Sequence, residues 1–231
     1  LLPKSNYMDK FIIGTGLNSL VDNINLIKIA KSNGFNKFLI MPPAYYKYSD
    51  HDVINFYSRI IDEINECKII LYNFEKLSGY KFSIDCVEEL VKKFPSQIVG
   101  VKDSSYNLYE NLKIDNFSVM PGSESKLLKG LELGCSGIIT ATTNVTSILA
   151  RDVYDKFQNG SDQSSNEKLC LVRIILDKFN LISGLHNFMA QIDQDYQNLI
   201  PPLKLLNENE KKIFFAELQK LDFDFKHLKA A

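Results

Sequence analysis

Short apolar runs and helical patterns alternate over the first 145 residues of the chain. The runs are Phe11-Ile12-Ile13-Gly14, Phe38-Leu39-Ile40-Met41, Ile69-Ile70-Leu71-Tyr72, Ile98-Val99-Gly100-Val101-Lys102, Phe117-Ser118-Val119-Met120 and Gly137-Ile138-Ile139-Thr140. Apolar residues follow one another in them instead of alternating with polar ones, the pattern of strands buried on both faces. Between the runs, apolar positions recur at helical spacing. Residues 17–31 offer Leu20, Ile24, Leu26, Ile27 and Ile29, and residues 52–64 offer Val53, Ile54, Phe56, Tyr57, Ile60, Ile61 and Ile64. Residues 83–94 form a third such stretch, with Ser83 as a candidate N-cap and Pro95 as a stop. Six βα units in succession predict a parallel sheet with right-handed crossovers.

The pattern changes after residue 157. Residues 158–166 are wholly polar or glycine and read as a surface loop. Beyond them the text is helical, over 167–182, 185–192 and 207–221, with Pro201-Pro202 between the last two. The expected organisation is a barrel-type βα portion over 1–157 and a helical C-terminal extension over 158–231. Six strands could close a doubly wound sheet, whereas a (β/α)8 barrel needs eight in about 250 residues. At roughly 30 residues per unit, two more units would add about 60 residues. A chain that opens on Leu1, shortly before its first strand, fits a barrel whose first two βα units are lacking.

Composition narrows the class. Lys and Arg number 27 against 28 Asp and Glu, a net charge of -1, which argues against a generally basic nucleic-acid surface. No apolar run approaches the roughly 18 residues of a membrane span, and Leu1 to Asn6 lack the charged head and apolar stretch of a secretory leader. Cys67, Cys86, Cys135 and Cys170 form no CxxC pair, so they read as buried thiols in a reducing cytosol. The expectation is a cytoplasmic protein with no nucleic-acid or membrane partner.

Two residues suggest chemistry. Lys102 ends a buried run, and the C-terminal ends of parallel strands are where α/β folds build their sites. Burying a lysine disfavours its ammonium form, and a neutral amine can attack a carbonyl to give a Schiff base. The alternative is a lysine whose stem packs while its head reaches solvent. Tyr72 ends the preceding run, so its phenol falls at the same end of the sheet and suits proton transfer; the alternative is a packed core tyrosine.

Other signals are weaker. Gly14-Thr15-Gly16 lacks the third glycine of a dinucleotide loop, since Ser19 stands there. Asp50-His51-Asp52 lies at a helix start and reads as capping before metal binding. Asp193 and Asp195 read as a solvated face, and the Asn144-Val145-Thr146 sequon is void without a secretory route. Pro42-Pro43-Ala44-Tyr45-Tyr46 reads as a rigid turn with packed rings.

Taken in order, these segments resemble the dihydrodipicolinate synthase / N-acetylneuraminate lyase family. The markers are Gly14-Thr15-Gly16, Pro42-Pro43-Ala44-Tyr45-Tyr46, Leu71-Tyr72-Asn73, Gly100-Val101-Lys102-Asp103, Gly122-Ser123-Glu124, and Gly137-Ile138-Ile139-Thr140 with Asn144-Val145. The resemblance implies a (β/α)8 barrel with a C-terminal helical extension, assembled as a homo-oligomer, a tetramer or dimer. It makes Lys102 the Schiff-base lysine and Tyr72 the catalytic tyrosine. Tyr45 matches the tyrosine that reaches into a neighbouring subunit's site, and Ile139 lines the keto-acid pocket. Gly122, Ser104 and Glu124 join the substrate-binding set.

Two departures stand out. Nothing matches the family's Gly-Thr-Thr-Gly-Glu-type motif, which binds the keto-acid carboxylate at the end of the second strand. Leu77 stands where the synthases carry an arginine for the second substrate's carboxylate. A leucine cannot make that charge-assisted pair, whereas Ser104 and Glu124 suit a hydroxylated tail. The expected activity is class I cleavage of a 2-keto-3-deoxy sugar acid or sialic-acid-like substrate to pyruvate and an aldehyde, with no metal or organic cofactor. The alternatives are condensation of pyruvate with aspartate semialdehyde, and a non-catalytic or ligand-sensing barrel.

Overall fold

Five of the six apolar runs form strands: β1 (Ile13–Gly14), β2 (Lys37–Ile40), β3 (Lys68–Asn73), β4 (Ile98–Asp103) and β5 (Ser118–Pro121). The structure, a computed structural model, describes residues 8–64 and 66–228; the opening segment read for a leader lies outside them. All neighbouring strands are parallel, and their order in the sheet is β1-β2-β3-β4-β5. That order decides between the two candidate architectures. A doubly wound sheet reverses direction at a switch point, whereas every crossover here advances one strand in the same sense, as in a βα barrel.

The connections carry α1 (Leu20–Ser32), α2 (Asp50–Glu63), the single turn α3 (Glu75–Ser78) and α4 (Ile84–Lys93). Their starts follow from local chemistry. The side chains of Ser19, Ser49 and Ser83 accept the backbone N–H three residues on, and Ser49 with Asp52 completes a reciprocal capping box. Asp50 accepts from the hydroxyls of Tyr80 and Ser83. Asp50 and Asp52 are thus committed to helix starts and packing. The core holds Phe38, Ile40, Ile69, Leu71 and Val101 from the strands and Ile27, Tyr57 and Ile60 from the helices, all buried. Tyr57 donates its hydroxyl to the Ile40 carbonyl (2.7 Å), and burial holds its phenol well above the ordinary range. Burial likewise pushes the Cys86 thiol up to about 11 and raises those of Cys67 and Cys170, as expected of unreactive thiols.

Gly100 lets β5 approach β4. A Cβ there would stand 2.6 Å from the Ser118 carbonyl oxygen, so no side chain fits without moving the strand.

The chain divides into two compact units, the first ending at Gly122 and the second beginning at Ser123. The second holds α5 (Leu127–Glu132), α6 (Thr143–Gln158), α7 (Ser164–Asp177), α8 (Leu181–Met189) and α9 (Glu208–Lys220). Val172, Leu176, Phe188, Phe214 and Leu218 form its core. Two expectations need correction here. Gly137-Ile138-Ile139-Thr140 is not a strand: it pairs with none among the described residues. Gly137 turns the chain at φ 142°, and Thr140 is used locally, its carbonyl accepting from the Thr143 hydroxyl (2.7 Å) at the start of α6. The polar loop is also shorter than expected, because α6 runs to Gln158 and α7 starts at Ser164. Among the described residues, no helix is long and apolar enough to cross a membrane.

Candidate active site

Tyr72 and Lys102 are register partners on adjacent strands, one residue from the C-terminal ends of β3 and β4. A local irregularity puts them there. Ile69 pairs with Ile98, but Ile70 pairs with Gly100, so Val99 is skipped as a bulge in β4. Without the bulge Tyr72 would face Val101. The extra residue slides β4 by one and brings the lysine opposite the phenol, the re-aiming that bulges perform beside functional sites. Both side chains are half-buried, and Lys102 Nζ stands 4.0 Å from the centroid of the Tyr72 ring. Among the described residues Lys102 forms no ion pair and the Tyr72 hydroxyl no hydrogen bond. Tyr57 and Tyr80, which hold the core, both have bonded hydroxyls.

Ser104 and Gly122 lie just past β4 and β5 and touch. Gly122 donates its N–H to the Asp103 carbonyl (3.0 Å), and Ser104 donates its own to the Asn73 carbonyl (2.8 Å). A Cβ on Gly122 would meet Ser104 Cβ at 3.0 Å and Cα at 3.1 Å. Only glycine at 122 leaves room for the Ser104 side chain where it stands. Leu77 sits in the α3 turn after β3, more than half exposed, and offers no charge. Close by, Lys81 is paired with Glu75 (3.2 Å). Tyr45 is 89% exposed at φ 89°, packed edge-on against Tyr46. A positive φ is costly for an aromatic residue, so this exposed ring is held out under strain.

The remaining two expected residues belong to the second unit. Ile139 is half-buried in the segment before α6. Glu124 is fully buried and already engaged: it accepts from the hydroxyls of Thr142, Thr146 (3.1 Å) and Thr140 (3.2 Å) and pairs with Arg173 Nη1 (2.9 Å). A substrate hydroxyl would have to displace one of these partners. Burial works against the charge of Arg173, but bonds to Asp177 and Glu124 outweigh it and hold the guanidinium above its ordinary range. Glu124→Ala would leave that guanidinium and three hydroxyls without their acceptor. A loss of about 3 kcal/mol in unfolding free energy is expected, measurable by denaturant titration. A loss under about 0.5 kcal/mol, the size of an ordinary surface substitution, would contradict this structural role.

Sequence reasoning passed over four residues. Asn73, Asp103 and Asn107 form a hydrogen-bonded polar network that begins one residue beyond Tyr72 and Lys102, and Arg173 anchors Glu124. The available signal was a polar residue closing each of two apolar strands.

Comparison with known proteins supplies the family. The model of the dihydrodipicolinate synthetase family matches residues 8–221. A 2-dehydro-3-deoxy-D-gluconate/2-dehydro-3-deoxy-phosphogluconate aldolase of Picrophilus torridus is 28% identical, over 70% of this chain and 61% of its own length. A 4-hydroxy-tetrahydrodipicolinate synthase of Methanopyrus kandleri is also 28% identical, over 91% and 72%. An N-acetylneuraminate lyase of Clostridium perfringens is 27% identical, over 80% and 65%. Among solved structures, YagE, a prophage protein of the dihydrodipicolinic acid synthase family from E. coli K12 in complex with pyruvate, superposes with a TM-score of 0.83. It is 22% identical, over 92% of this chain and 75% of that one. The chain spans about three fifths of the length of the first curated relatives it matches. Its parallel α/β architecture is that of the family's barrel, and the chain belongs to the dihydrodipicolinate synthetase family.

Proposed function

We propose that the protein is a class I, Schiff-base-forming lyase that cleaves a 2-keto-3-deoxy sugar acid or sialic-acid-like substrate to pyruvate and an aldehyde. The carrying observation is the amine of Lys102 standing 4.0 Å over the ring of Tyr72 at the ends of adjacent parallel strands. In this reading the Lys102 amine adds to the substrate's keto carbon and water leaves. The resulting iminium draws the electron pair of the breaking carbon–carbon bond, and Tyr72 takes the proton from the hydroxyl that becomes the aldehyde. Ser104, set against Gly122, offers a hydroxyl to the substrate tail.

Leu77 favours this substrate class over aspartate semialdehyde. A second substrate carboxylate would meet an uncharged side chain there, and the neighbouring Lys76 would have to stand in for the arginine. The relatives include an aldolase and a neuraminate lyase as well as synthases, so the preference rests on Leu77. Strained, outward-facing Tyr45 supports assembly into a homo-oligomer in which it meets a neighbouring copy.

The test uses the full-length protein. Pyruvate with borohydride should leave a stable adduct on Lys102, located by peptide mass spectrometry. kcat/KM for the sugar acid should exceed that for pyruvate plus aspartate semialdehyde by at least about 100-fold, the cost of one missing charge-assisted contact. Faster semialdehyde turnover would reverse the substrate assignment, and no adduct with any 2-oxo acid would leave a ligand-binding barrel as the better account.

A further inference from the structure

One residue beyond Tyr72 and Lys102, both strands end in a buried polar side chain. Asn73 and Asp103 are register partners, and neither has any exposed surface. Asn73 Nδ2 donates to Asp103 Oδ1 (2.8 Å) and also to Asn107 Oδ1 (2.8 Å), while its own Oδ1 accepts from the Phe82 N–H (3.1 Å). Asp103 accepts three more bonds, from the N–H groups of Tyr106 (2.9 Å), Leu108 (2.8 Å) and Tyr109 (2.9 Å). Asn107 closes the network by donating to the Phe82 carbonyl (2.9 Å).

A buried carboxylate that takes four donors and, among the described residues, no cation is a demanding arrangement, and it needs every one of those donors. Its location tells what it does. The backbone ladder alone leaves register to the pleat, and β4 has already slipped by one residue at Val99. The next side-chain bond across the two strands comes after the Tyr72–Lys102 pair and locks the slipped register. Three N–H groups turned onto Asp103 fix the loop that follows β4.

We propose that Asn73 and Asp103 are positioning residues: the bond between them holds β3 and β4 in the register that sets Tyr72 over Lys102. This rests on the reading of those two as the reacting pair, and its effect on turnover passes through Tyr72.

Two readouts test it. The first needs no turnover. Nuclei above an aromatic ring resonate upfield, so in protein carrying [13Cε]lysine the Lys102 methylene should be displaced upfield, its signal identified by its loss in Lys102→Arg. Asn73→Ala should return that signal to the position of an exposed lysine. An unmoved signal would overturn the proposal, whatever the protein cleaves. The second is kinetic. Asn73→Ala should lower kcat by about 100-fold with a smaller change in KM, since small misplacements of reacting groups cost this much. With Tyr72→Phe already in place, it should cost less than about 3-fold more. A purely structural role would give the same fall in both backgrounds, and that result would also overturn the proposal. Should Asn73→Ala not fold, Asn73→Leu serves instead: it keeps the branched shape of asparagine but has no donor for Asp103, and it should likewise return the Lys102 signal to the position of an exposed lysine. A folded Asn73→Leu variant with that signal unmoved would overturn the proposal.

Discussion

Lys102→Ala is expected to abolish both turnover and the borohydride-trapped pyruvate adduct. The lysine amine is the electrophile-forming group in the proposed chemistry, and removing a covalent catalyst costs orders of magnitude more than removing a hydrogen bond. Lys102→Arg should be equally inactive, because a guanidinium stays protonated and cannot add to a carbonyl. The fold should tolerate both changes. Lys102 is half-buried, and its described contact is the face of the Tyr72 ring, an interaction of about 1 kcal/mol at a partly exposed site. Unfolding midpoints near those of the wild type, together with no adduct in the mass spectrum, would separate loss of chemistry from loss of structure. Retention of the adduct in Lys102→Ala would move the Schiff base to another lysine and with it the whole assignment.

The strands that build the site were the most readable part of the sequence. Ile69-Ile70-Leu71 and Ile98-Val99-Gly100-Val101 are buried on both faces, so apolar continuity marks them without further information. The same criterion fails at Gly137-Ile138-Ile139-Thr140, because an apolar run records burial and says nothing about whether a neighbouring strand offers its backbone. That Lys102 and Tyr72 end successive strands was legible; that they face each other was not. Their register depends on a one-residue slip at Val99, which leaves no mark on periodicity.

Polar networks were harder still. Asn73 and Asp103 lie 30 residues apart, and Glu124 and Arg173 lie 49 apart, so no local spacing couples them. Glu124 was expected to face a substrate hydroxyl. Its burial against three threonines and an arginine makes it first an internal anchor for the segment containing Ile139. Tyr45 illustrates the reverse case. Its sequence setting suggested a packed ring in a turn, yet the ring is almost wholly exposed at a positive φ, because the turn places it on the surface.

Tyr72→Phe is expected to slow turnover by about 10²- to 10⁴-fold, the usual contribution of one positioned acid–base group, while sparing both the fold and the first chemical event. The hydroxyl makes no hydrogen bond among the described residues, so its removal leaves no buried partner unsatisfied. Phenylalanine keeps the ring on which Lys102 rests and the contact with Phe74, whose centroid lies 5.9 Å away. The amine should therefore still be held in place and still be trapped by pyruvate and borohydride. In the proposed chemistry, what disappears is the group that accepts and returns the proton as the carbon–carbon bond breaks. The variant should thus separate two steps that Lys102→Ala removes together: adduct yield close to wild type, kcat reduced, and KM little changed. Wild-type kcat in Tyr72→Phe would make the tyrosine a packing residue and require another proton carrier at the end of β3. Loss of the adduct along with the rate would instead assign the hydroxyl to formation of the Schiff base, placing the proton transfer one step earlier than proposed.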